Sequence, residues 1–367
     1  MKIKAALARK INHLTVEEVE LSPPKATEVL IQMKAAGVCH SDLHTYRGEL
    51  RATPPLVLGH EGAGIVTAVG HNVSKIKPGD RVTVNWLPAC ETCPTCLNGR
   101  HNVCERLATT TFKAVLLDGT TRLTASDGLS LKHMLGVATM AEYAVVDQAG
   151  VVPIPDEVPF EVAAVIGCAV ATGVGAVINT ARAKPALPAA VIGCGGIGLS
   201  AIQGCQLAGL NPIVAVDVME SKLTFAKKMG ATHTIDATQK DAVEILRAIT
   251  QGGPEYVFDS VGSAITVGQS LQAVRPGGKA IIVGLHAAKV EIPLSVATLV
   301  LQNKCLLGSF VGSIRPRLDL PNLMDLYVAG KLALDDLITK RYRLEQVSQA
   351  FDDMESGQVA RGVLVFE

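Results

Sequence analysis

The chain carries no net charge: 34 lysines and arginines balance 34 aspartates and glutamates over 367 residues. No basic tract or acidic tail breaks that balance, which argues against nucleic acid and anionic membrane as partners. No run of about 18 or more apolar residues reads as a membrane span. The opening Met1-Lys2-Ile3-Lys4 has no apolar core of a secretion signal. Repeats and low-complexity segments are missing as well. What is left is a chain long enough for two domains with cores of their own, expected in the cytoplasm.

Cysteine is the residue to follow. There are nine, an odd number. Without a secretion signal, clustered thiols point to a metal in a reducing compartment rather than to disulfides. Cys90-x2-Cys93-x2-Cys96-x7-Cys104 places four thiolates within reach of one ion. The two-residue gaps let a tight turn aim neighbouring sulfurs inward, and Pro94, Asn98 and Gly99 suit the loop between. Four thiolates leave no position open, so this lobe (about 88–106) is expected to brace the fold around zinc. Iron is the other metal that such a set accepts.

The first 150 residues read as short β-branched runs, such as Val29-Leu30-Ile31, Gly64-Ile65-Val66 and Arg81 to Val84, punctuated by Gly and Pro. From about residue 160 the pattern changes. A helix is expected over Glu161–Thr180, then strands at Ala189–Ile192, Ile213–Val216, Tyr256–Phe258 and Ala280–Val283. Helices at Gly196–Ala208, Ser221–Met229 and Ala264–Val274 fall between them. That alternation predicts a parallel, doubly wound sheet. Two amphipathic helices, around Leu320–Val328 and Leu344–Met354, and a last strand at Val363–Phe366 follow. The fold class is therefore α/β, a β-rich domain joined to a doubly wound one. The β-rich start and the tail are expected to form a single domain, 1–169 with 311–367, interrupted by the unit 170–310.

Gly193-Cys194-Gly195-Gly196-Ile197-Gly198 sits between the first of those strands and its helix. Such glycines allow a tight turn, close approach of backbone to a pyrophosphate and close helix packing. The helix N-terminus then faces the phosphates. Asp217 closes the next strand, where a carboxylate accepts from the adenosine ribose and repels a 2′-phosphate. The cofactor implied is NAD rather than NADP.

A second ligand set is scattered: Cys39, His60 with Glu61, and Cys168. Two sulfurs and an imidazole would leave one zinc position open for water or substrate. Each has an ordinary alternative, a small core residue for Cys168 or a satisfied core histidine for His60.

The order of G-H-E at 59–61, the four-cysteine lobe, K-P-G-D-R-V at 77–82, G-C-G-G-I-G at 193–198 and A-R-G-V-L-V-F at 360–366 closely resembles the zinc-dependent alcohol dehydrogenases of the medium-chain dehydrogenase/reductase superfamily, essentially end to end. Asp118-Gly119-Thr120 after the lobe resembles the branch with the animal and glutathione-dependent formaldehyde enzymes.

The resemblance implies a GroES-like catalytic domain and a Rossmann domain, two zincs per chain and NAD. It implies Cys39, His60 and Cys168 on the catalytic zinc, with Asp42 and Glu61 behind them, and Cys90, Cys93, Cys96 and Cys104 on the structural one. Ser41 matches the hydroxyl that takes the alcohol's proton, and His44 the residue that passes it on. His40 and Arg361 match pyrophosphate contacts, Lys222 a ribose contact beside Asp217, and Thr172 a residue against the nicotinamide. Gly193, Gly195, Gly196, Ile197 and Gly198 form the phosphate turn.

Trp86, Met134, Leu135, Leu285 and Phe310 match pocket positions. They imply primary or secondary alcohols with a hydrophobic or aromatic group, oxidised reversibly to aldehydes or ketones. The glutathione-dependent branch has an arginine four residues past the last lobe cysteine; here that residue is Ala108, which argues against glutathione adducts. Rival readings are a zinc-free reductase, a polyol dehydrogenase with Glu in place of the late cysteine, and a non-catalytic NAD-binding protein. The family implies a homodimer or homotetramer, with Lys304–Phe310 as an edge strand that pairs across a two-fold axis.

Overall fold

The computed structural model describes residues 1–50, 52–239, 241–285 and 291–367. It divides into two compact units: Met1–Cys168 with Arg315–Gly330 and Leu334–Glu367, and Ala169–Ile314 with Lys331–Ala333.

In the first unit, five strands close into a barrel in the order Lys2–Lys10, His13–Leu21, Leu123–Ala125, Ser130–His133, Leu56–Val57. Alternate residues of the opening strand, among them Ile3, Ala5 and Leu7, turn into the barrel core with Val19, Leu21, Val57 and Leu131. The unit also holds a seven-stranded sheet. Its strand Glu28–Val38 pairs antiparallel with Gly62–Val69 and with Arg361–Val365, setting Ala36 opposite Gly62 and Val38 opposite Gly362. Cys39, Glu61 and Arg361 each stand one residue beyond those pairs, so strand register alone gathers three distant residues at one sheet end.

The helix Val347–Glu355 buries Val347, Ala350 and Phe351, spaced i, i+3, i+4, in the core that also holds Ala36, Val38 and Leu364. Burying Phe351 contributes about 2–3 kcal/mol.

The second unit is a six-stranded parallel sheet in the order His233–Asp236, Ile213–Asp217, Ala189–Ile192, Tyr256–Asp259, Lys279–Ile282, Cys305–Gly308. Numbered along the chain, that is the 3-2-1-4-5-6 order of a dinucleotide-binding sheet. Strand His233–Asp236 and helix Ala242–Ile249 were not among the sequence expectations. The strand is short and buries only Ile235. The helix is capped by Asp241, whose carboxylate accepts from the N–H groups of Val243 and Glu244.

One sequence expectation needs correction. The helix before the C-terminal strands starts at Pro316, earlier than Leu320, because Pro316 occupies the first turn, where a missing N–H costs nothing. The helix expected over Glu161–Thr180 is present and is the longest apolar stretch among the described residues. Helix Phe160–Ala181 has 22 residues, and with a mean hydropathy of 2.0 over its most apolar window it is long and apolar enough to cross a membrane. Its most apolar window is 89 % buried inside the protein, so core packing accounts for its composition.

Candidate active site

The strand Glu28–Val38 ends on Cys39, which caps the helix His40–Tyr46. Gly59, at φ +98°, turns the chain so that His60 and Glu61 lead into the strand Gly62–Val69. A side chain at Gly59 would meet Met140 N at 2.2 Å, and one at Gly37 would meet Glu61 Oε2 at 1.9 Å. These glycines are therefore demanded by close approach.

Asp42, His60 and Glu61 are fully buried. Asp42 Oδ1 accepts from Gly59 N–H at 2.8 Å, and its Oδ2 lies 3.1 Å from His60 Nδ1. A carboxylate there fixes the ring and turns Nε2 the other way. Thr139, which sequence reasoning missed, holds the turn from behind. Its N–H donates to Gly59 O at 3.0 Å and its hydroxyl to Glu61 O at 2.9 Å.

Ligand atoms of Cys39, His60 and Glu61 all lie within 4.8 Å of one another. Cys168 hydrogen-bonds Cys39. All nine cysteines are free thiols. Cys168 sits in a wide π-helical turn, Ile166–Val170, of the kind that often marks functional sites. Gly167 lets that turn rest on the neighbouring strand, because a side chain there would meet Val84 O at 2.8 Å. Arg361, 5 % exposed, pairs with the Glu61 carboxylate. Arg361 was expected as a pyrophosphate contact, and its pairing with Glu61 was not anticipated.

The hydrogen bond from Cys168, helped by His60 and Arg361, holds the Cys39 thiol well below its ordinary range. The same bond and burial push Cys168 well above it. Burial raises Glu61 to about 7, against the pull of Arg361. Burial alone would lower His60, but the charges of Asp42 and Cys39 raise it well above the usual imidazole range.

His60 Nε2 and Glu61 Oε1, 4.0 Å apart, are buried without a hydrogen-bond partner. Buried polar atoms in that state are costly unless a cation completes them. Sulfur, imidazole and carboxylate are the donors zinc takes, so the site fits the metal.

In the lobe, Cys93 N–H points to Cys90 Sγ at 3.2 Å, Cys96 N–H to Cys93 Sγ at 3.4 Å and Cys90 N–H to Cys104 Sγ at 3.3 Å. All four sulfurs fall in one cluster. Bonds from Thr92, then from Cys93, lower Cys90 to about 5, which favours the thiolate a metal binds.

In the second unit, Gly193 has φ +86°, and a side chain at Gly198 would meet Gly193 O at 1.8 Å. A side chain at Gly195 would meet nothing within 4 Å. The loop thus packs on two glycines and leaves an open cradle at the third, at the N-terminus of helix Gly196–Leu207, as a pyrophosphate requires. Asp217 closes the second strand with its carboxylate accepting from Cys194 N–H at 2.7 Å and Val218 N–H at 2.8 Å. Thr172 is buried, while Lys222 is half-buried.

Of the pocket candidates, the Trp86 ring stands edge-on to His60, with centroids 6.1 Å apart. Met134 lies in the core with Leu135 packed against it. Leu285 and Phe310, in the second unit, are exposed. Ser41 Oγ is 3.8 Å from Cys39 Sγ, and His44 Nδ1 is bonded to Glu49. His40 is exposed, its ring centroid 6.2 Å from that of His44.

Family profiles match both units: "Alcohol dehydrogenase GroES-like domain" over residues 25–156 and "Zinc-binding dehydrogenase" over 196–329. The chain is 37 % identical to the class-3 alcohol dehydrogenase of Cereibacter sphaeroides over the full length of both. It is 36 % identical to the S-(hydroxymethyl)glutathione dehydrogenase of Paracoccus denitrificans, again over all of both. The benzyl alcohol dehydrogenase structure from Acinetobacter calcoaceticus superposes with TM-score 0.94 at 31 % identity, covering both chains completely.

This chain belongs to the zinc-dependent alcohol dehydrogenases of the medium-chain dehydrogenase/reductase superfamily. It is a zinc enzyme with NAD as its cofactor. Its Cys90–Cys104 cluster resembles the structural zinc site, and Cys39 with His60 the catalytic one.

Proposed function

We propose that the protein oxidises primary or secondary alcohols bearing a hydrophobic or aromatic group, reversibly and with NAD, to aldehydes or ketones. The observation that carries this reading is the buried Cys39–His60–Glu61 cluster with unpaired ligand atoms and Cys168 at its rim.

Cys39, His60 and Cys168 hold the catalytic zinc, and Cys90, Cys93, Cys96 and Cys104 the structural one. When bound, zinc supplies a Lewis acid for the substrate oxygen and NAD the hydride acceptor. Asp42 fixes the His60 ring. Glu61, neutralised by Arg361, stands in reserve beside the ligands. Ser41 takes the alcohol's proton and His44 passes it outward. Both lie on the helix His40–Tyr46 at i, i+3, on one face. Gly193, Gly195, Gly196, Ile197 and Gly198 cradle the pyrophosphate with His40 and Arg361. Asp217 and Lys222 take the ribose, and Thr172 backs the nicotinamide. Trp86, Met134, Leu135, Leu285 and Phe310 shape the substrate's surroundings. The likeness to a benzyl alcohol dehydrogenase supports an aromatic substrate.

A second reading, oxidation of S-(hydroxymethyl)glutathione, is favoured by relatives of that name at 36–37 % identity. Ala108, at the position where that branch carries an arginine, weighs against it. Steady-state kcat/KM for benzyl alcohol against S-(hydroxymethyl)glutathione decides: the first exceeds the second on the reading preferred here, and the reverse ranking replaces it. We also assign a homodimer or homotetramer, because Cys305–Gly308 is a sheet-edge strand near the exposed Val300 and Leu301. Light scattering showing a monomer rejects this.

A further inference from the structure

We infer that Glu49 is a positioning residue for His44, fixing the imidazole tautomer and facing the charge the ring carries while it moves a proton. The inference rests on the proposed role of His44 as proton carrier.

His44 closes the last turn of the helix His40–Tyr46, and the chain leaves through Gly48 at φ +74°. The glycine folds the following residue back. Glu49 N–H donates to His44 C=O at 2.8 Å, and the Glu49 carboxylate bonds His44 Nδ1. A side chain at Gly48 would meet Ile11 Cδ1 at 2.6 Å, so packing holds the turn closed. Backbone and side chain together fix Glu49 on this one histidine.

Among the described residues, the Arg47 charge also acts on Glu49, but more weakly than on Glu355. The Arg47 guanidinium is bound to Glu355 at 2.7 Å. The Thr45 hydroxyl is spent on Ser41 O at 2.9 Å. His40 presents its ring 6.2 Å from that of His44.

A carboxylate accepts only, so Nδ1 must donate to it, and Nε2 is left as the basic nitrogen. The same logic orients a histidine general base by an acid on its far nitrogen. In transit His44 gains one proton at Nε2, becomes the imidazolium against the Glu49 carboxylate, and gives one proton to water. No electron moves, and the Glu49 carboxylate only accepts the Nδ1 hydrogen bond. Exposure suits the direction: the His44 side chain is 18 % exposed and that of Glu49 41 %.

The test is a double-mutant cycle on the zinc- and NAD-loaded enzyme, with His44→Gln, Glu49→Gln and both together. The His44→Gln variant should lose about a hundredfold in kcat, and Glu49→Gln about tenfold, a share of the same effect. The double variant should match His44→Gln, because Glu49 acts only through the histidine. Glu49→Asp should recover part of the loss. Imidazole 15N shifts of the free protein should report Nδ1–H in the parent and mixed tautomers in Glu49→Ala. Losses that multiply in the double variant, or an unchanged tautomer in Glu49→Ala, overturn the inference while leaving His44 in its role. A fully active His44→Gln variant overturns the role of His44 itself, and this inference with it.

Discussion

Arg361 and Glu61, 300 positions apart, form an ion pair buried beside Cys39 and His60. Removing one partner leaves a charge stranded in the core, which costs about 3–5 kcal/mol. Arg361→Leu should therefore lower the chemical-denaturation midpoint sharply, and Glu61→Gln with Arg361→Met should recover part of the loss. A single variant as stable as the parent would show that the pair adds nothing to the fold.

The glycines of the nucleotide turn should separate binding from folding. Gly195 faces open space, so Gly195→Val should raise KM for NAD about tenfold or more while Tm changes little. Gly198→Ala forces a carbon against Gly193 O, so it should lower Tm by several degrees. Nucleotide titrations and thermal melts check both, and equal effects at the two positions contradict the assignment.

Losing one sulfur of the lobe should cost metal and rigidity there, not chemistry. In Cys96→Ser, elemental analysis should find about one zinc per chain where the parent has two. Limited proteolysis should cut first between Ala89 and Thr109. Two zincs retained in this variant would mean that the four thiols are not a metal site.

His133 predicts a pH effect outside the catalytic centre. It is buried, and its Nε2 accepts Arg122 N–H at 3.1 Å, so the ring is neutral. Burial, with the Arg122 charge, lowers its pKa to about 3, against 6.5 for an ordinary imidazole. Below pH 6.5 the unfolded chain takes a proton that the folded one refuses, so stability falls as pH drops from about 6.5 towards 3. The loss reaches about 2 kcal/mol at pH 5. His133→Gln should remove that component of the slope between pH 7 and pH 5 in denaturant titrations. Parallel slopes in parent and variant would refute it.

What was legible in the sequence was local. The sulfurs at 90–104 and the glycines at 193–198 lie within a few residues of their partners, so spacing carries their meaning. Strand–helix alternation likewise indicated the parallel sheet. Cys39, Glu61 and Arg361 meet only through the register of three strands, which no spacing encodes. Glu49 escaped notice because its link to His44 depends on the positive φ of Gly48. The Ala/Val-rich run at Glu161–Thr180 was legible as a helix, but its burial inside the protein, which accounts for so apolar a composition, depends on packing that no local pattern encodes.

The C-terminal strand Arg361–Val365 brings with it the only guanidinium described beside Glu61. The 300 positions that separate Arg361 from Glu61 mean that a long stretch of chain must leave the ribosome after Glu61 before its carboxylate meets its counter-ion. Order of synthesis becomes order of activation: a nascent chain can fill its cysteine lobe early, yet stays without a finished reaction centre until the strand Arg361–Val365 docks.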